Sequence, residues 1–393
     1  ERLCKIGCTD GLPVVPPTRG RVAAMLRGTA LQASEVLGRC PPSYADVRVE
    51  SLAIAAVMAG CTPEMFRIVI AATRAMLHPD FGIHGVNATT MGATPVVVVN
   101  GPCRIAAGVN FKHAPCGSGS RSTSIGRALK LLLQNVGRAK LGGTESTTIG
   151  SPMKFGMCFG EWEERSGMWQ PLALEHGGIA RDQDAVTVIA ATSGPVQFVD
   201  FNSTPKQLLE RLSEHMASAY APQMPLVNYC LLVVSPEHYD TLVKAGMDSK
   251  EQLAAALWKK SAKHVIRHLP AVFRLLGTKY PKVPGLLFSI LGHLVKLVAR
   301  VCSLFGIPFT AIPKFSSPAS IKIVVAGGEA GKFSSFMPSF GVGPPGAPSA
   351  NMSRPISEVV EPRPATLDAN SSLTAAEQAN AGDIFDPTAR AEG

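Results

Sequence analysis

Paired cysteine motifs are missing from this chain. Its nine cysteines, Cys4, Cys8, Cys40, Cys61, Cys103, Cys116, Cys158, Cys230 and Cys302, are odd in number, scattered and never spaced as CxxC. That pattern excludes a disulfide framework and a zinc ribbon, and it fits a reducing cytoplasm. No signal-peptide pattern is present either. Aromatic residues make up only 6% of the chain, too few for a base-stacking surface, so nucleic acid is not an expected partner. Acidic residues are absent between Glu251 and Glu329, where eleven Lys and Arg fall. The net charge of +9 therefore belongs to one segment, and the remainder is close to neutral. Long apolar runs are scarce too: the stretch 286–301 is interrupted by Lys296 and Arg300, which disfavours a membrane-spanning helix.

What is present describes a folded protein. A hydrophobic fraction of 46% and a mean hydropathy of +0.17 exclude a largely disordered chain, and 393 residues suffice for a sizeable core. The 37 glycines and 31 prolines imply many loops. The stretch around which the rest is organised runs from His84 to Gln134. Its centre, Val96 to Val99, reads as a strand buried on both faces and stops at Asn100-Gly101-Pro102. A glycine turn, Cys116-Gly117-Ser118-Gly119-Ser120, then opens a helix whose apolar positions Ile125, Ala128, Leu129, Leu132 and Leu133 have the spacing of a buried face. Such a turn can aim backbone N–H groups at an anion, with Arg121 beside it.

Along the chain, prolines stiffen residues 9–18 into an extended arm expected to pack across the core, with Thr18 capping a helix to about Arg27. Helices are predicted over 51–59 and 63–77, the second begun by Thr62-Pro63-Glu64. Residues 83–90 read as a short strand and loop carrying His84, Asn87, Thr89 and Thr90. Further strands are expected over 185–192, 230–234 and 321–326, and helices over 205–218, from Ser235-Pro236, and over 249–263. The fold class that follows is α/β: a layered, largely parallel sheet with flanking helices, plus a basic helical hairpin insertion. By segment, residues 1–48 form the docking arm and first helix, 49–252 the α/β core, 253–315 the basic amphipathic insertion, 316–345 the last core strand and Gly-rich loop, and 346–393 a flexible tail.

In such sheets ligands bind beyond the carboxyl ends of strands. That rule selects Asn100-Gly101, Ser193-Gly194, residues 235–238, and Gly327-Gly328 with Lys332. The last of these lacks the GxxxxGK[ST] spacing of a nucleotide loop. Three carboxylates surround Trp162; Glu161 or Glu163 is either a general acid/base, the partner of Arg121, or part of a solvated acidic turn. A metal reading using His84, His113, Cys116 and His176 has no paired motif behind it. The basic insertion reads as buried packing or a subunit contact, with contact to a membrane surface the less favoured reading.

Several segments together resemble one family: GCTDGLPVVPPTRGRV, VMAGCTPEMFRIVIAA, HGVNATT, VVVVNGP, SIGRALKLLLQNVG and KIVVAGGEAGKFSSF are similar to the large proteins of the UGSC family. Those proteins are encoded beside, or fused to, a small protein with a selenocysteine-or-cysteine, Gly, Ser, Cys motif. The resemblance covers roughly residues 7–341 except the basic insertion. It implies thiol or selenol chemistry in which the large chain supplies a binding pocket. This chain has no Cys-Gly-Ser-Cys, so either a partner brings the nucleophile or Cys116 acts with its thiolate favoured by the helix end and Arg121; a structural Cys116 is the other reading of that position.

The expectation is a large substrate-binding subunit of a two-component enzyme acting on a small anionic ligand, with redox or C–S/C–X bond chemistry. Catalytic candidates are Cys116, His84 and Glu161. Ligand-binding candidates are Asn87, Thr89, Asn100, Gly117, Ser118, Gly119, Arg121, Gly327, Gly328 and Lys332. The expected partners are the small Cys/Sec-Gly-Ser-Cys protein and further copies of this chain; no cofactor is named by the residues. The alternative is a non-catalytic scaffold for a small redox partner, in which case these polar residues stay dispersed.

Overall fold

Proline and glycine set the course of the first sixty residues. After a short helix, α1 (Arg2–Lys5), the arm lies against the core as expected. Arg127 grips it with a two-pronged contact to Asp10, Nε to Oδ2 at 2.7 Å and Nη2 to Oδ1 at 2.8 Å. The same guanidinium donates to the Pro13 carbonyl, Gln134 to those of Gly7 and Thr9, and Asn135 to that of Cys8. Helix α2 (Arg19–Leu26) follows Thr18. A hairpin of β1 (Val36–Cys40) and β2 (Ala45–Arg48) leads into α3 (Val49–Ala59), which Gly60 ends in the left-handed region at φ 85°. Helix α4 (Pro63–Leu77) begins where Thr62-Pro63 places it. The computed structural model describes residues 2–117, 121–201, 204–218, 229–264, 285–304, 311–340, 356–362 and 364.

Residues 83–88 depart from expectation: they form a helix, α5 (Ile83–Ala88), not a strand. Ile83, Val86 and Asn87 are its buried positions, a helical i, i+3, i+4 spacing. There follow β3 (Thr94–Asn100), α6 (Cys103–Ala106), α7 (Thr123–Asn135), β4 (Met157–Gly160), α8 (Leu172–Gly177), β5 (Ala185–Ala191), β6 (Val196–Val199), α9 (Pro205–Ala217) and β7 (Cys230–Val234). Ser235 caps α10 (Pro236–Val243) and Ser249 caps α11 (Lys250–Lys260), each accepting from the backbone N–H three residues on. The two-residue strands β8 (Lys263–His264) and β9 (Ala311–Ile312) flank helix α12 (Gly285–Leu304) in the sequence, and β10 (Ile321–Val325), β11 (Phe333–Pro338) and β12 (Ile356–Val359) complete the order. Of the expected basic hairpin, α12 is described; the segment 265–284 lies outside the described residues.

Alternation along the strands sorts the core into layers. In β3, Val97 and Val99 join the cluster formed by α2, α3, α4 and α7, whereas Val96 and Val98 join residues of β7, β10 and β11. In β7, Leu231 and Val233 meet that inner cluster, while Cys230, Leu232 and Val234 pack against α9, α10 and α11. Two sheets thus lie face to face with helices on both outer surfaces, a helix–sheet–sheet–helix arrangement. Glycine permits one of the closest approaches: a Cβ on Gly126 of α7 would stand 2.4 Å from the Met157 nitrogen.

Each sheet is mixed rather than largely parallel. In the first, of order β12-β5-β3-β4, β3 pairs parallel with β4, antiparallel with β5, and β5 antiparallel with β12. In the second, of order β10-β7-β11-β6, β7 pairs parallel with β10, antiparallel with β11, and β11 antiparallel with β6. The two share one plan: a central strand, a helical crossover to its parallel neighbour, then a return to the other side of the central strand, through α8 in the first sheet and directly in the second. The largely parallel expectation fails because the strand that follows each crossover, β5 or β11, returns antiparallel to the central strand, and the outer strand pairs antiparallel with it in turn. The fourth strand differs in origin, since β6 precedes its unit whereas β12 comes from beyond residue 355.

That last point corrects the expected flexible tail. Residues 356–359 pair with β5, and Glu361 is held by α4, its carboxylate by Arg74 at 2.7 Å and its carbonyl by Arg67 at 2.9 Å. The rest of the segment 346–393, apart from 360–362 and 364, lies outside the described residues.

The arm offers a pH test. Burial raises the Asp10 carboxyl, but the Arg127 fork and the Leu12 N–H outweigh it and leave the group below its ordinary value. A carboxylate so depressed stabilises the fold above its unfolded pKa of about 3.9 and stops doing so as pH falls through the folded value. Asp10→Asn is expected to cost about 1.5–3 kcal/mol at pH 7, with the difference from wild type shrinking below about pH 4, as read by urea denaturation across pH.

Candidate functional site

The carboxyl ends of β3, β4, β7 and β10 converge on one rim. The chain crosses between the sheets there: Trp162 N–H donates to the Val325 carbonyl at 2.7 Å, Gly327 N–H to that of Phe111 at 3.0 Å, and Gly160 N–H to that of Asn110 at 2.9 Å. Loop 107–117 is therefore woven between β4 and β10. On it, Phe111 lies under the Arg104 guanidinium at 4.6 Å and beside the Trp162 ring at 5.9 Å, and the Lys112 Nζ sits 5.0 Å over Trp162. His113 packs so closely on Gly328 that a Cβ there would meet its Nδ1 at 2.7 Å. Lys112 and His113 are exposed, so this rim presents cationic and imidazole groups to solvent.

Beneath the rim is a buried ionic network. Glu161 has no exposed surface; its Oε2 accepts from Asn100 Nδ2 at 2.8 Å and Leu172 N–H at 2.7 Å, and its Oε1 from Lys250 Nζ at 2.5 Å. Asn100 also donates to Glu163 Oε1 at 3.0 Å, which accepts in turn from Gly101 N–H at 2.7 Å. Arg104, 2% exposed, donates to Glu164 at 2.6 Å and faces Glu163 at 3.5 Å, while its Nη1 has no hydrogen-bond partner. Glu175 lies 4.0 Å from Lys250, its Oε2 without a hydrogen bond. Burial pushes its carboxyl up to about 7, with Lys250 opposing part of the effect. Burial likewise lowers Lys322 below the ordinary lysine value.

The expected site residues divide into separate places. Asn100, Gly327 and Gly328 meet the rim, with Cys116 and Gly117 at the end of its loop; Ser118 and Gly119 lie outside the described residues. Arg121 is exposed just beyond them, and the cation on Glu161 is Lys250 instead. Cys116 packs against the inner core, and burial pushes its thiol up to about 12, opposite to the activation expected from a helix end. Glu161, with both oxygens bonded and none exposed, has no free atom for proton transfer in this arrangement.

His84, Asn87 and Thr89 precede the amino end of β3, about 20 Å from Asn100 along the strand. His84 Nδ1 bonds the Tyr44 hydroxyl at 3.2 Å on the surface, and Thr89 Oγ1 accepts from Met91 N–H in a local turn. Asn87 is 7% exposed with its Nδ2 unpartnered. Lys332 ends the loop between β10 and β11, where its Nζ donates to the Phe201 carbonyl at 2.8 Å rather than to a rim residue. Ser193-Gly194 falls at the end opposite the rim because β5 runs antiparallel to β3. Among the described residues no three His, Cys, Asp or Glu are placed to hold a metal ion, which leaves the His84, His113, Cys116 and His176 reading without geometry.

Sequence reasoning missed Arg104, Lys112, Lys250 and Glu175. Arg104 follows Asn100-Gly101-Pro102 directly and was within reach of the strand-end rule; Lys250 comes from a helix start about ninety residues downstream of Glu161, and nothing in the sequence links them. One further group imitates a hydrolase triad: His238 Nδ1 meets Ser334 Oγ at 2.8 Å and its Nε2 the Asp200 carbonyl at 3.3 Å. Here the aspartate contributes backbone rather than carboxylate, and Ser334 is 3% exposed, so the trio is packing.

In comparison with known proteins, no family model matches the chain, and no curated protein or solved structure does.

Two substitutions test the network. Lys250→Met leaves the Glu161 charge buried without its cation and is expected to cost about 3–5 kcal/mol, read by urea denaturation. Glu175 has a folded pKa above its unfolded one, so it binds a proton more readily when folded, and stability falls as pH rises from about 4.3 to about 7. Glu175→Gln is therefore expected to melt with wild type at pH 4.5 and above it at pH 8, with a difference of up to about 3 kcal/mol.

Proposed function

We propose that the chain is the large, substrate-binding component of a two-component thiol- or selenol-dependent enzyme, with redox or C–S/C–X bond chemistry on a small anionic substrate. In this reading the rim binds the substrate and a small protein with a Cys/Sec-Gly-Ser-Cys motif brings the nucleophile. The observation that carries it is the placement of six of the nine thiols: Cys40, Cys103, Cys158 and Cys230 are buried, and Cys61 and Cys116, the latter at the end of the rim loop, are half-buried. Burial pushes Cys40, Cys61 and Cys116 up to about 12 and raises Cys103, Cys158 and Cys230 as well. At neutral pH these cysteines are protonated and poor nucleophiles.

The rim supplies what an anion requires. Arg104 Nη1 is a buried donor without an acceptor, and Lys112 and His113 stand exposed beside it. Its place at the carboxyl ends of parallel strands is where α/β sheets bind ligands. The resemblance to the UGSC large proteins supplies the two-component arrangement.

A second reading is favoured by the dispersal of His84, Asn87 and Thr89 from Asn100: a non-catalytic scaffold for the same small partner. Both readings place the reactive sulfur or selenium elsewhere, and they differ in whether Lys112 and His113 affect turnover or only complex formation.

The test begins with iodoacetamide at pH 7.5 followed by peptide mass spectrometry. Cys116 is expected to be alkylated at least tenfold more slowly than free glutathione, and the neighbouring small Cys/Sec-Gly-Ser-Cys protein is expected to co-purify with this chain and with its Cys116→Ser variant. Rapid alkylation of Cys116 would return the nucleophile to this chain, and a small protein that fails to co-purify would overturn the two-component reading.

A further inference from the structure

We propose that α12 is an interfacial helix that docks this protein on an anionic phospholipid surface. Eight aliphatic side chains between Leu286 and Val301 are from 44% to 71% exposed. On a helical projection they are contiguous, filling an arc of about 140° centred near Leu294. The opposite side is turned inward at Gly292, with Phe288 and Val295 half-buried. A contiguous exposed apolar face of this kind is the mark of an interaction surface.

The sequence positions of His293, Lys296 and Arg300 fall together on one flank of the arc, so an apolar sector adjoins a basic one. That is the pattern of a helix lying in the plane of a bilayer, with its aliphatic side in the acyl boundary and its cations among the headgroups. Among the described residues no helix is long and apolar enough to cross a membrane, and the contact proposed is along the surface.

Charge selects the occupant. Residues 252–328 carry eleven Lys and Arg and no Asp or Glu; Lys314 and Lys322 are buried, which leaves the other nine to supply the charge. A second copy docking through the same face would bring two such segments together and be opposed by their repulsion. Nucleic acid would satisfy the cations and leave the aliphatic arc in water. A bilayer containing anionic lipid meets both demands at once, since apolar burial and attraction of basic residues add. This departs from the buried-packing reading of the sequence, because the face that packing within the chain would cover is exposed; the subunit-contact reading is the alternative that the experiment separates.

The experiment is flotation of the full chain with vesicles of phosphatidylcholine alone or with about 30% phosphatidylserine, in about 0.1 M salt. Wild type is expected to float with the anionic vesicles at least tenfold more than with the neutral ones, and to be released by high salt. Leu287→Asp combined with Leu294→Asp is expected to lose at least tenfold in binding with an unchanged melting temperature, because both side chains are already in water. Lys296→Glu combined with Arg300→Glu supplies a second variant that leaves the aliphatic arc intact, and it is expected to abolish the preference for anionic vesicles. Equal recovery with both vesicle types, or no recovery with either, overturns the proposal. So does a wild-type dimer in analytical ultracentrifugation that the Leu287/Leu294 double variant converts to monomer without any vesicle binding.

Discussion

The two halves of this molecule are joined through a charge with no access to water. Glu161 follows a strand of the first sheet, and its cation, Lys250, stands at the first turn of a helix that covers the second. Both are essentially without exposed surface. Removing two charges from water is expensive unless the geometry satisfies them, and here Asn100 and the Leu172 N–H occupy the remaining acceptor positions. An aliphatic pair of the same volume would tolerate sliding; a bonded ion pair does not. The contact therefore fixes how the strand ends of one half meet those of the other, and the rim is assembled on top of it.

The identical pairing plan of the two sheets shows why that junction sits where it does. Each half has a crossover between parallel neighbours, and the carboxyl ends of both crossovers point to the same end of the sandwich. The Trp162–Val325 and Gly327–Phe111 hydrogen bonds stitch these ends together. The rim is thus built from both halves, and its geometry depends on their relative register.

Local signals made most elements legible in the sequence. Thr62-Pro63-Glu64 marks the start of α4, and Ser235-Pro236 that of α10, because side-chain caps and proline act within a few residues. The valine run and the 230–234 strand are buried on both faces, as unbroken apolar runs imply. Strand direction was not legible, since parallel and antiparallel pairing draw on the same residues. Residues 356–359 offer no apolar period because β12 is an edge strand held by backbone pairing with β5, with Glu361 just beyond it anchored by Arg67 and Arg74. The site was legible only in part: Asn100, Gly327 and Gly328 follow from strand ends, whereas Lys250 and the burial of Cys116 depend on contacts between distant segments.

The origin of β12 has a consequence for how the molecule is made. The first sheet has β3, β4 and β5 within the first half of the polypeptide, yet its outer strand is translated only after residue 355. During synthesis the margin of β5 stands open while residues 192–355 emerge. The nascent protein carries an unfinished sheet throughout that interval, and the stitch that closes it arrives from a segment made long after its neighbour.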